Sequence, residues 1–281
     1  DIADPLVLRE NIPVSSLPMP APVIATGGKP TLVWSVSPNL SAGLNWDPSG
    51  YIYGTPISNT GIGVDWYTAS VHDNISLNNL YQAHASGTFS LKITPKLDLT
   101  LNITSPTIIT ANWPVSITPF IATGGENPLH WAVSRVGGGL LPAGLQWDET
   151  TGIISSMADA GDGIEYTYRV TVSDGVGSYP HSDTFNLKVN SPVVATLIGS
   201  ISRSFTQDAP YTPFTPVVGS GGTIPRIYGI SPSLPSGMNI NAGSGQISGT
   251  PTTTTNATYT ITVTDSMLPT GLPGGASDSK D

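Results

Sequence analysis

Residues 123–156 read TGGENPLHWAVSRVGGGLLPAGLQWDETTGIISS and contain the pattern on which the whole chain is built. A Thr-Gly-Gly turn precedes a short stretch with an aromatic residue, and an Asp-x-x-Thr-Gly turn follows that stretch. The same cassette occurs upstream in residues 26–56 and downstream in residues 220–251. Its aromatic residue recurs at intervals of 97 positions, as Trp34, Trp131 and Tyr228. The chain is therefore three copies of one unit, and a period of this length indicates a complete domain rather than one turn of a solenoid.

Each copy is long enough to fold by itself, since domains commonly run from about 50 to 250 residues. We place the domains at residues 1–95, 96–190 and 191–281, and name them modules 1, 2 and 3. The chain of 281 residues contains 31 glycines and 26 prolines, while only 10% of its residues are charged. This composition favours strands and turns over helices.

The charge balance excludes several classes of partner. The net charge is −9, with only ten lysines and arginines, whereas nucleic-acid binding requires clustered basic residues. The same balance argues against an anionic membrane surface, and no apolar stretch has the ~18 residues of a membrane span. The chain has no cysteine, which excludes disulfides, thiolate metal sites and cysteine catalysis. We expect no nucleic-acid partner and no membrane insertion in this segment.

Short alternating segments separated by turns predict the fold. Residues 166–172 alternate over seven positions, and Phe-x-Leu-Lys-[IV] strands close modules 1 and 2 at residues 89–93 and 185–189. Strands at such intervals indicate an all-β protein made of three tandem Ig-like antiparallel β-sandwiches. The junctions near Pro95-Lys96 and Ser191-Pro192 are short and contain proline, which predicts stiff connections and an elongated array.

The repeated pattern resembles the immunoglobulin-type, cadherin-like repeats of bacterial, archaeal and phage surface proteins. It reads aromatic-x-[VI]-Ser, Pro/Ala-x-Gly-Leu/Met, Asp-x-x-Thr-Gly-x-Ile-Ser-Gly-Thr-Pro and Tyr-x-[VIT]-x-Val-x-Asp, and it covers almost the whole chain three times. Module 1 departs by one turn residue before Gly50, and module 2 has Ser156-Met157 where Thr-Pro is expected. The resemblance implies an extracellular setting, on a cell surface or on a virion.

An aspartate ends the long strand of every copy, at Asp73, Asp174 and Asp265. In the related cadherin-type modules, acidic residues near domain junctions hold calcium, which takes about six to eight oxygen ligands. None of the three aspartates has a dense acidic neighbourhood, so we favour a structural role in which the carboxylate accepts backbone N–H groups. No cofactor other than calcium is expected. The better candidate calcium ligands are the residues of the densest acidic loop, Asp159, Asp162 and Glu165. Because the other copies do not repeat these residues, we favour a solvated loop over a calcium site.

Tryptophans can mark either carbohydrate stacking or a protein core. The repeat position that Trp46 and Trp147 share is occupied by Ile240 in module 3. Isoleucine suits a core and not a sugar platform, so this position and the recurring aromatic position are both predicted to be core. Trp66 and Trp113 lie outside the shared pattern and are the candidate ligand-surface aromatics.

No catalytic site is predicted. The four histidines lie at different positions of the repeat, and none belongs to a metal-spaced pair or to a Gly-x-Ser-x-Gly segment. The leading hypothesis is therefore a non-enzymatic structural or adhesive rod of a cell surface, a surface filament or a virion, with other protein subunits or a host or cell-surface ligand as partners. The alternatives are a carbohydrate-binding accessory arm of a virion or surface enzyme, which would bind glycan, and a calcium-rigidified adhesin.

The last strand of module 3 is expected to be missing. Modules 1 and 2 end with Phe-x-Leu-Lys-[IV], while module 3 ends with Ser277-Asp278-Ser279-Lys280-Asp281. A sandwich without this strand exposes unpaired backbone groups and part of its core. One expectation is that the polypeptide continues and supplies the strand. The other is strand exchange, in which Leu6-Val7-Leu8 of a neighbouring subunit completes the sheet, and pairing of these residues inside module 1 would exclude them as the donor.

Overall fold

The computed structural model describes residues 5–14, 22–28, 31–57, 63–73, 83–174, 180–199, 202–267 and 277–280. Within these ranges the chain forms 23 strands, β1 to β23 in chain order. No helix in the described part of the chain has the length and apolar character of a membrane span.

Module 1 combines a four-stranded sheet with a hairpin. Its strands are β1 (Leu6–Arg9), β2 (Leu32–Ser37), β3 (Leu44–Trp46), β4 (Ile52–Gly54), β5 (Asp65–Asp73) and β6 (His84–Thr94). The sheet order is β1-β6-β5-β2, and β3 pairs with β4 in the hairpin. Tyr67, Phe89 and Leu91 from the sheet pack in one core with Leu44 and Ile52 from the hairpin. The two layers therefore form the predicted sandwich.

The pairing of the first strand of module 1 contradicts the strand-exchange hypothesis. β1 lies parallel to β6 within the same module, with Leu6 opposite Leu91 and Leu8 opposite Ile93. Leu8 is almost fully buried in the module 1 core. The proposal that Leu6-Val7-Leu8 completes a neighbouring subunit is therefore wrong. The parallel edge strand is a further difference from a purely antiparallel sandwich. β1 precedes β2 in the chain, but it lies at the opposite edge of the sheet, beside β6.

Module 2 repeats this plan. Its strands are β7 (Asp98–Leu101), β8 (Thr107–Thr110), β9 (Val115–Ile117), β10 (Phe120–Thr123), β11 (His130–Arg135), β12 (Leu145–Trp147), β13 (Ile154–Ser156), β14 (Glu165–Ser173) and β15 (His181–Asn190). The sheets have the orders β11-β14-β15-β8, β12-β13-β9 and β10-β7, and β8 lies parallel to β15. On β14, buried Tyr168, Val170 and Val172 alternate with exposed Arg169 and half-buried Thr171, as the sequence pattern predicts.

Module 3 has three small sheets. Its strands are β16 (Val194–Leu197), β17 (Tyr211–Phe214), β18 (Val217–Ser220), β19 (Ile227–Ser231), β20 (Met238–Ile240), β21 (Ile247–Gly249), β22 (Thr260–Thr264) and β23 (Ser277–Lys280). The orders are β19-β22-β23, β17-β21-β20 and β16-β18. The sequence analysis places no strand after β22, yet β23 pairs with β22 from Ile261 to Thr264. The residues of β23 are all polar, so the sequence shows no hydrophobic alternation there. The strand is defined by its backbone pairing with β22.

The recurring aromatic residue packs on a turn glycine in every module. Gly152 has a φ of 69°, and a Cβ added to it would lie 2.8 Å from the Trp131 ring. Gly50 and Gly245 meet Trp34 and Tyr228 in the same way, at 3.1 and 2.6 Å. Only glycine combines this backbone conformation with this close approach. The pairing of the aromatic residue with the turn glycine is therefore a packing constraint of the sandwich core, although the number of residues between them differs among the modules.

The chain divides into two compact units that do not follow the module boundaries. The first unit contains Asp1–Leu99 together with Ala122–Leu129 and Ser173–His181. The second contains Thr100–Ile121, His130–Val172 and Ser182–Asp281. Two segments of module 2 therefore belong to the first unit, one with Asp174 and the other with Glu126, whose N–H donates to Asp174.

Candidate functional site at the module junctions

The aspartate after the long strand is buried in all three modules. The exposed fractions of Asp73, Asp174 and Asp265 lie between 3% and 5%. The second glycine of the Gly-Gly turn covers the carboxylate, because a Cβ on Gly125 would lie 3.1 Å from Asp174 Oδ2 and a Cβ on Gly222 would lie 2.9 Å from Asp265 Oδ2. Both glycines have positive φ, so the turn brings its backbone against the acid where any side chain would collide.

The same turn holds the linker that enters the module. The Gly125 N–H donates to the Pro95 carbonyl at 3.1 Å, and the Gly222 N–H donates to the Ser191 carbonyl at 2.8 Å. The next N–H in each turn, from Glu126 or Thr223, donates to the buried carboxylate at 2.9 Å. The predicted structural role of Asp174 and Asp265 as acceptors of backbone N–H groups agrees with this geometry.

At the first junction, the buried aspartate binds a cation from the preceding module. Arg9 ends β1, and its Nη2 donates to Asp174 Oδ1, 165 residues further along the chain. The two side chains are 5% and 2% exposed. A second ion pair joins Lys92 on β6 to Glu126, and it is about one quarter exposed on each side. The first junction is therefore charged, with one buried ion pair and one partly exposed ion pair.

At the second junction, a neutral residue takes the place of the arginine. Thr110 ends β8, and its hydroxyl donates to Asp265 Oδ2 at 2.5 Å. The Met267 N–H donates to Asp265 Oδ1 at 3.2 Å, and the Thr110 N–H in turn donates to Met267 Sδ at 3.0 Å. Trp113 packs on the core of module 3 beside this network. At the second junction, the donors that contact the aspartate are therefore neutral.

Arg9 and Thr110 occupy the same place in their modules. Each lies two residues before an asparagine with a φ of 60°, Asn11 or Asn112. The N–H groups of these asparagines donate to the carbonyls of Pro56 and Ala158, both at 2.8 Å. Each junction thus uses the last residue of the parallel edge strand, β1 or β8, as a donor to the aspartate of the following module. Sequence analysis missed both donors, because their partners are more than 150 residues away and the two side chains share no chemical type.

The candidate calcium ligands Asp159, Asp162 and Glu165 bind different partners in the structure. Asp159, Asp162 and Glu165 are all exposed. Asp162 accepts hydrogen bonds from the Ile164 N–H and the Tyr166 hydroxyl, which hold the pKa of Asp162 below its usual value. Glu165 Oε1 instead accepts from Asn186 Nδ2 at 2.6 Å. Within the described ranges, no cluster of three or more His, Asp or Glu residues is arranged to hold a metal ion.

The two candidate surface tryptophans differ in their surroundings. Trp66 lies near the start of β5 and is 59% exposed. Trp113 is half buried against module 3, and its Nε1 is buried without a hydrogen-bond partner in the structure. Trp34 and Trp46 pack on the core of module 1, as the repeat pattern predicts. Only Trp66 therefore has the exposure that a stacking ligand requires.

The sequence analysis did not identify the cross-strand pair of His72 and His84. His72 and His84 lie opposite each other on β5 and β6, with ring centroids 5.6 Å apart. Their cross-strand pairing is not visible as a metal-ligand spacing in the sequence. No third ligand accompanies them among the residues that the structure describes.

Several known structures resemble the chain at low similarity. Cadherin repeats EC22–24 of mouse cadherin-23 are 13% identical, with 99% of this chain and 93% of that chain covered and a TM-score of 0.33. The human desmocollin-1 ectodomain is 12% identical, with 98% and 59% covered and a TM-score of 0.34. A protein described as a "putative alpha-galactosidase" of Bacteroides fragilis is 24% identical over 32% of this chain, with a TM-score of 0.25. The match spans only 17% of that protein's length.

The sequence itself identifies the family. No curated protein matches the chain. Residues 99–190 and 192–272 match the protein family described as "Putative Ig domain". These two segments make up more than half of the chain, and they lie within the segments named modules 2 and 3. The chain therefore belongs to this family of immunoglobulin-like domains.

Proposed function

We propose that the chain is a non-enzymatic structural or adhesive array on the outside of a cell, a surface filament or a virion. Ig-like and cadherin-like domains are typically extracellular and non-catalytic. Its partners are other protein subunits or a ligand on a host or cell surface. The task of such an array is to hold successive modules at a fixed separation.

The observation that carries this proposal is the repeated construction of the junctions. In both, a turn N–H holds the linker carbonyl and the preceding strand donates to the buried aspartate. A flexible tether needs none of these contacts, whereas a spacer gains from each bond that removes freedom at the junction. The buried Arg9–Asp174 pair also requires well-defined geometry, because a misaligned pair would not offset its desolvation.

Distance measurements between spin labels test the proposal. The chain has no cysteine, so Ser35→Cys and Ser134→Cys, both at exposed positions, give one label in module 1 and one in module 2. We expect a narrow distance distribution that broadens when Arg9→Ala is added. Arg169→Ala, which removes an exposed arginine of β14, is the matched control and should leave the distribution unchanged. A broad distribution in the unsubstituted chain would contradict a spacer.

One observation favours a second function, a carbohydrate-binding arm. Trp66 offers an exposed indole, and sugar rings stack on such faces. A glycan array with the unsubstituted chain, followed by Trp66→Ala, tests this function. The control is Tyr51→Ala, which removes another exposed ring of module 1. Binding that is lost only with Trp66→Ala would support the second function, and a blank array would eliminate it.

A further inference from the structure

Two histidines face each other across the four-stranded sheet of module 1. His72 on β5 lies opposite His84 on β6. The adjacent pair, Asp73 and Ala83, is joined by a hydrogen bond from the Asp73 N–H to the Ala83 carbonyl at 3.2 Å. Hydrogen-bonded and non-hydrogen-bonded pairs alternate along antiparallel strands, so the histidines form a non-hydrogen-bonded pair, in which the Cα atoms are only about 4.5 Å apart. The backbone therefore brings the two imidazole rings close together.

Both rings lie on the face of the sheet that is turned away from the core. His72 is half buried and alternates with the buried residues of β5, while His84 is exposed. β1 pairs with the other end of β6, from Leu91 to Thr94. In the described part of the chain, the end of β6 that carries His84 is therefore an edge of the sheet. An ion from solvent can reach the pair from this edge.

A backbone contact determines which nitrogen of His72 can bind a metal. The Nδ1 atom of His72 lies 3.2 Å from the Asp73 carbonyl oxygen. A carbonyl oxygen can only accept, so Nδ1 is the donor and carries the ring proton of the neutral imidazole, while Nε2 has the available lone pair. Metal-binding histidines almost always donate their other ring N–H to a carbonyl, a carboxylate or water, and this contact orients the ring. His72 therefore has the second contact that a metal ligand requires.

The separation of the two rings fits one metal ion. Their centroids are 5.6 Å apart, and the ring planes are inclined by 47°. Two imidazoles that bind one tetrahedral ion through bonds of about 2.0–2.1 Å have centroids roughly 5 Å apart, so small rotations of the side chains let both rings bind the same ion. Imidazole nitrogen suits Zn²⁺, Cu²⁺ and Ni²⁺, whereas Ca²⁺ takes oxygen ligands. The pair therefore favours a transition-metal ion over calcium.

Module 3 has a different pair at the same place of its sheet. His72 and Thr264 each precede the buried aspartate of their module, and Thr264 lies opposite Ser277 as His72 lies opposite His84. Two hydroxyl side chains are therefore sufficient for strand pairing at this position. The two imidazoles of module 1 add a chemistry that the fold itself does not require.

We propose that His72 and His84 form a binding site for a divalent transition-metal ion, Zn²⁺, with one ring nitrogen from each histidine as ligands. His72 binds through Nε2. The remaining coordination positions face solvent, where water or a ligand atom of another molecule fills them. The bound ion joins β5 to β6 and stabilises the sheet of module 1. The proposal goes beyond the spacer role, because the module junctions use neither histidine.

Calorimetric titration with Zn²⁺ tests the proposal on the whole chain without a histidine tag. We expect saturable binding that weakens at least about tenfold when His72→Thr and His84→Ser are combined, because the second imidazole binds the ion within the same molecule. These two substitutions introduce the pair that module 3 carries at this place, so the sheet is expected to fold. His130→Asn, which removes an exposed histidine of module 2, is the control and should leave the affinity unchanged. A titration without saturable binding, or an equal loss in His130→Asn, would overturn the proposal.

Two further readouts identify the ligand atoms and the effect on the sheet. Nitrogen NMR of the imidazole rings should show a Zn²⁺-dependent shift at His72 Nε2 while Nδ1 keeps its proton. Zn²⁺ should raise the melting temperature of the unsubstituted chain, since an ion that binds only the folded state stabilises it, and should leave that of the double variant unchanged. Ca²⁺ at the same concentration should not reproduce the NMR shift. An NMR shift at His130 or His181 with none at His72 and His84 would overturn the proposal.

Discussion

The two module junctions share the same backbone contacts but differ in the side chain that binds the buried aspartate. In both, the Gly-Gly turn holds the linker and presents a backbone N–H to the buried aspartate. The remaining donor is the Arg9 guanidinium at the first junction and the Thr110 hydroxyl at the second. The difference shows that the fold specifies a donor position and an acceptor, and leaves the charge of the donor open. The first junction should therefore depend on electrostatics far more than the second.

The largest effect is expected at the buried ion pair. Arg9→Met keeps the length of the side chain but leaves the Asp174 carboxylate without its guanidinium partner. Removing one member of a buried pair costs about 3–5 kcal/mol, and we expect a loss of this size in the free energy of unfolding. Urea denaturation, with hydrogen exchange in residues 165–173 as the local readout, measures it.

A double-mutant cycle measures the interaction energy between Arg9 and Asp174 separately from the other contacts of the junction. Asp174→Asn alone leaves the guanidinium buried, whereas Arg9→Met with Asp174→Asn removes both charges. The double variant should be more stable than Arg9→Met, because no unpaired charge remains buried. Additive losses would show that the pair does not couple the two modules.

A smaller effect is expected at the neutral junction. Thr110→Val replaces the hydroxyl with a methyl group of similar size, and Asp265 keeps its hydrogen bonds from the Thr223 and Met267 N–H groups. The loss should be about 1.5–3 kcal/mol, as for one hydrogen bond to a charged group. Thr196→Val, at an exposed position of β16, is the control for the change in strand propensity. A loss as large as that of Arg9→Met would remove the distinction between the junctions.

Salt should weaken the partly exposed Lys92–Glu126 ion pair of the first junction. The Lys92–Glu126 pair is partly exposed, so Lys92→Met should cost less than about 1 kcal/mol. The difference between Lys92→Met and the unsubstituted chain should disappear in 1 M salt, where the screening length is only about 3 Å. Asn190→Ala, which removes a neutral hydrogen bond to Thr223 at the second junction, should have a cost that does not change with salt. Equal salt dependence of the two variants would contradict a charged first junction.

The smallest effect concerns pH and a turn away from both junctions. Hydrogen bonds from the side chain and N–H of Thr150, and from Thr151, lower the pKa of Asp148 to about 2. A lowered folded pKa stabilises the fold above the unfolded value of about 4, and this contribution is lost as pH falls through about 2. Asn241 accepts the same backbone bonds in module 3 without a titrating group.

Carboxyl NMR of Asp148 tests the assignment. Thr150→Val removes the side-chain donor and should raise the pKa of Asp148 towards 3.8. Because Asp148 titrates only near pH 2, its turn cannot account for a stability change between pH 7 and pH 5. An unchanged Asp148 titration in Thr150→Val would show that the hydroxyl does not cause the shift.

The sequence predicted the parts of the molecule that repeat locally. The alternation in residues 166–172 and the recurrence of the aromatic residue and the turn glycine follow from packing within one module, so both are visible in a short window. Arg9 could not be assigned in this way, because nothing near it in the sequence indicates an acceptor in another module. Aligning the copies on Asn11 and Asn112 would have placed Arg9 and Thr110 together, but arginine and threonine suggest no common role. β23 was missed because Ser-Asp-Ser-Lys has no apolar period, and the parallel pairing of β1 because parallel and antiparallel edge strands have the same alternation.

The packing of the recurring aromatic on its turn glycine also determines where the copies can differ in length. Sixteen positions separate Trp34 from Gly50, and 21 separate Trp131 from Gly152, yet both pairs meet in the same way. Four of the five additional residues of module 2 lie in its glycine-rich loop, where Leu140 is 84% exposed, and the fifth lies in the turn before Gly152. Insertions in this loop leave both halves of the core contact in place. The loop of residues 136–140 is therefore a natural site for grafting a foreign peptide, which the module would display while keeping its own core.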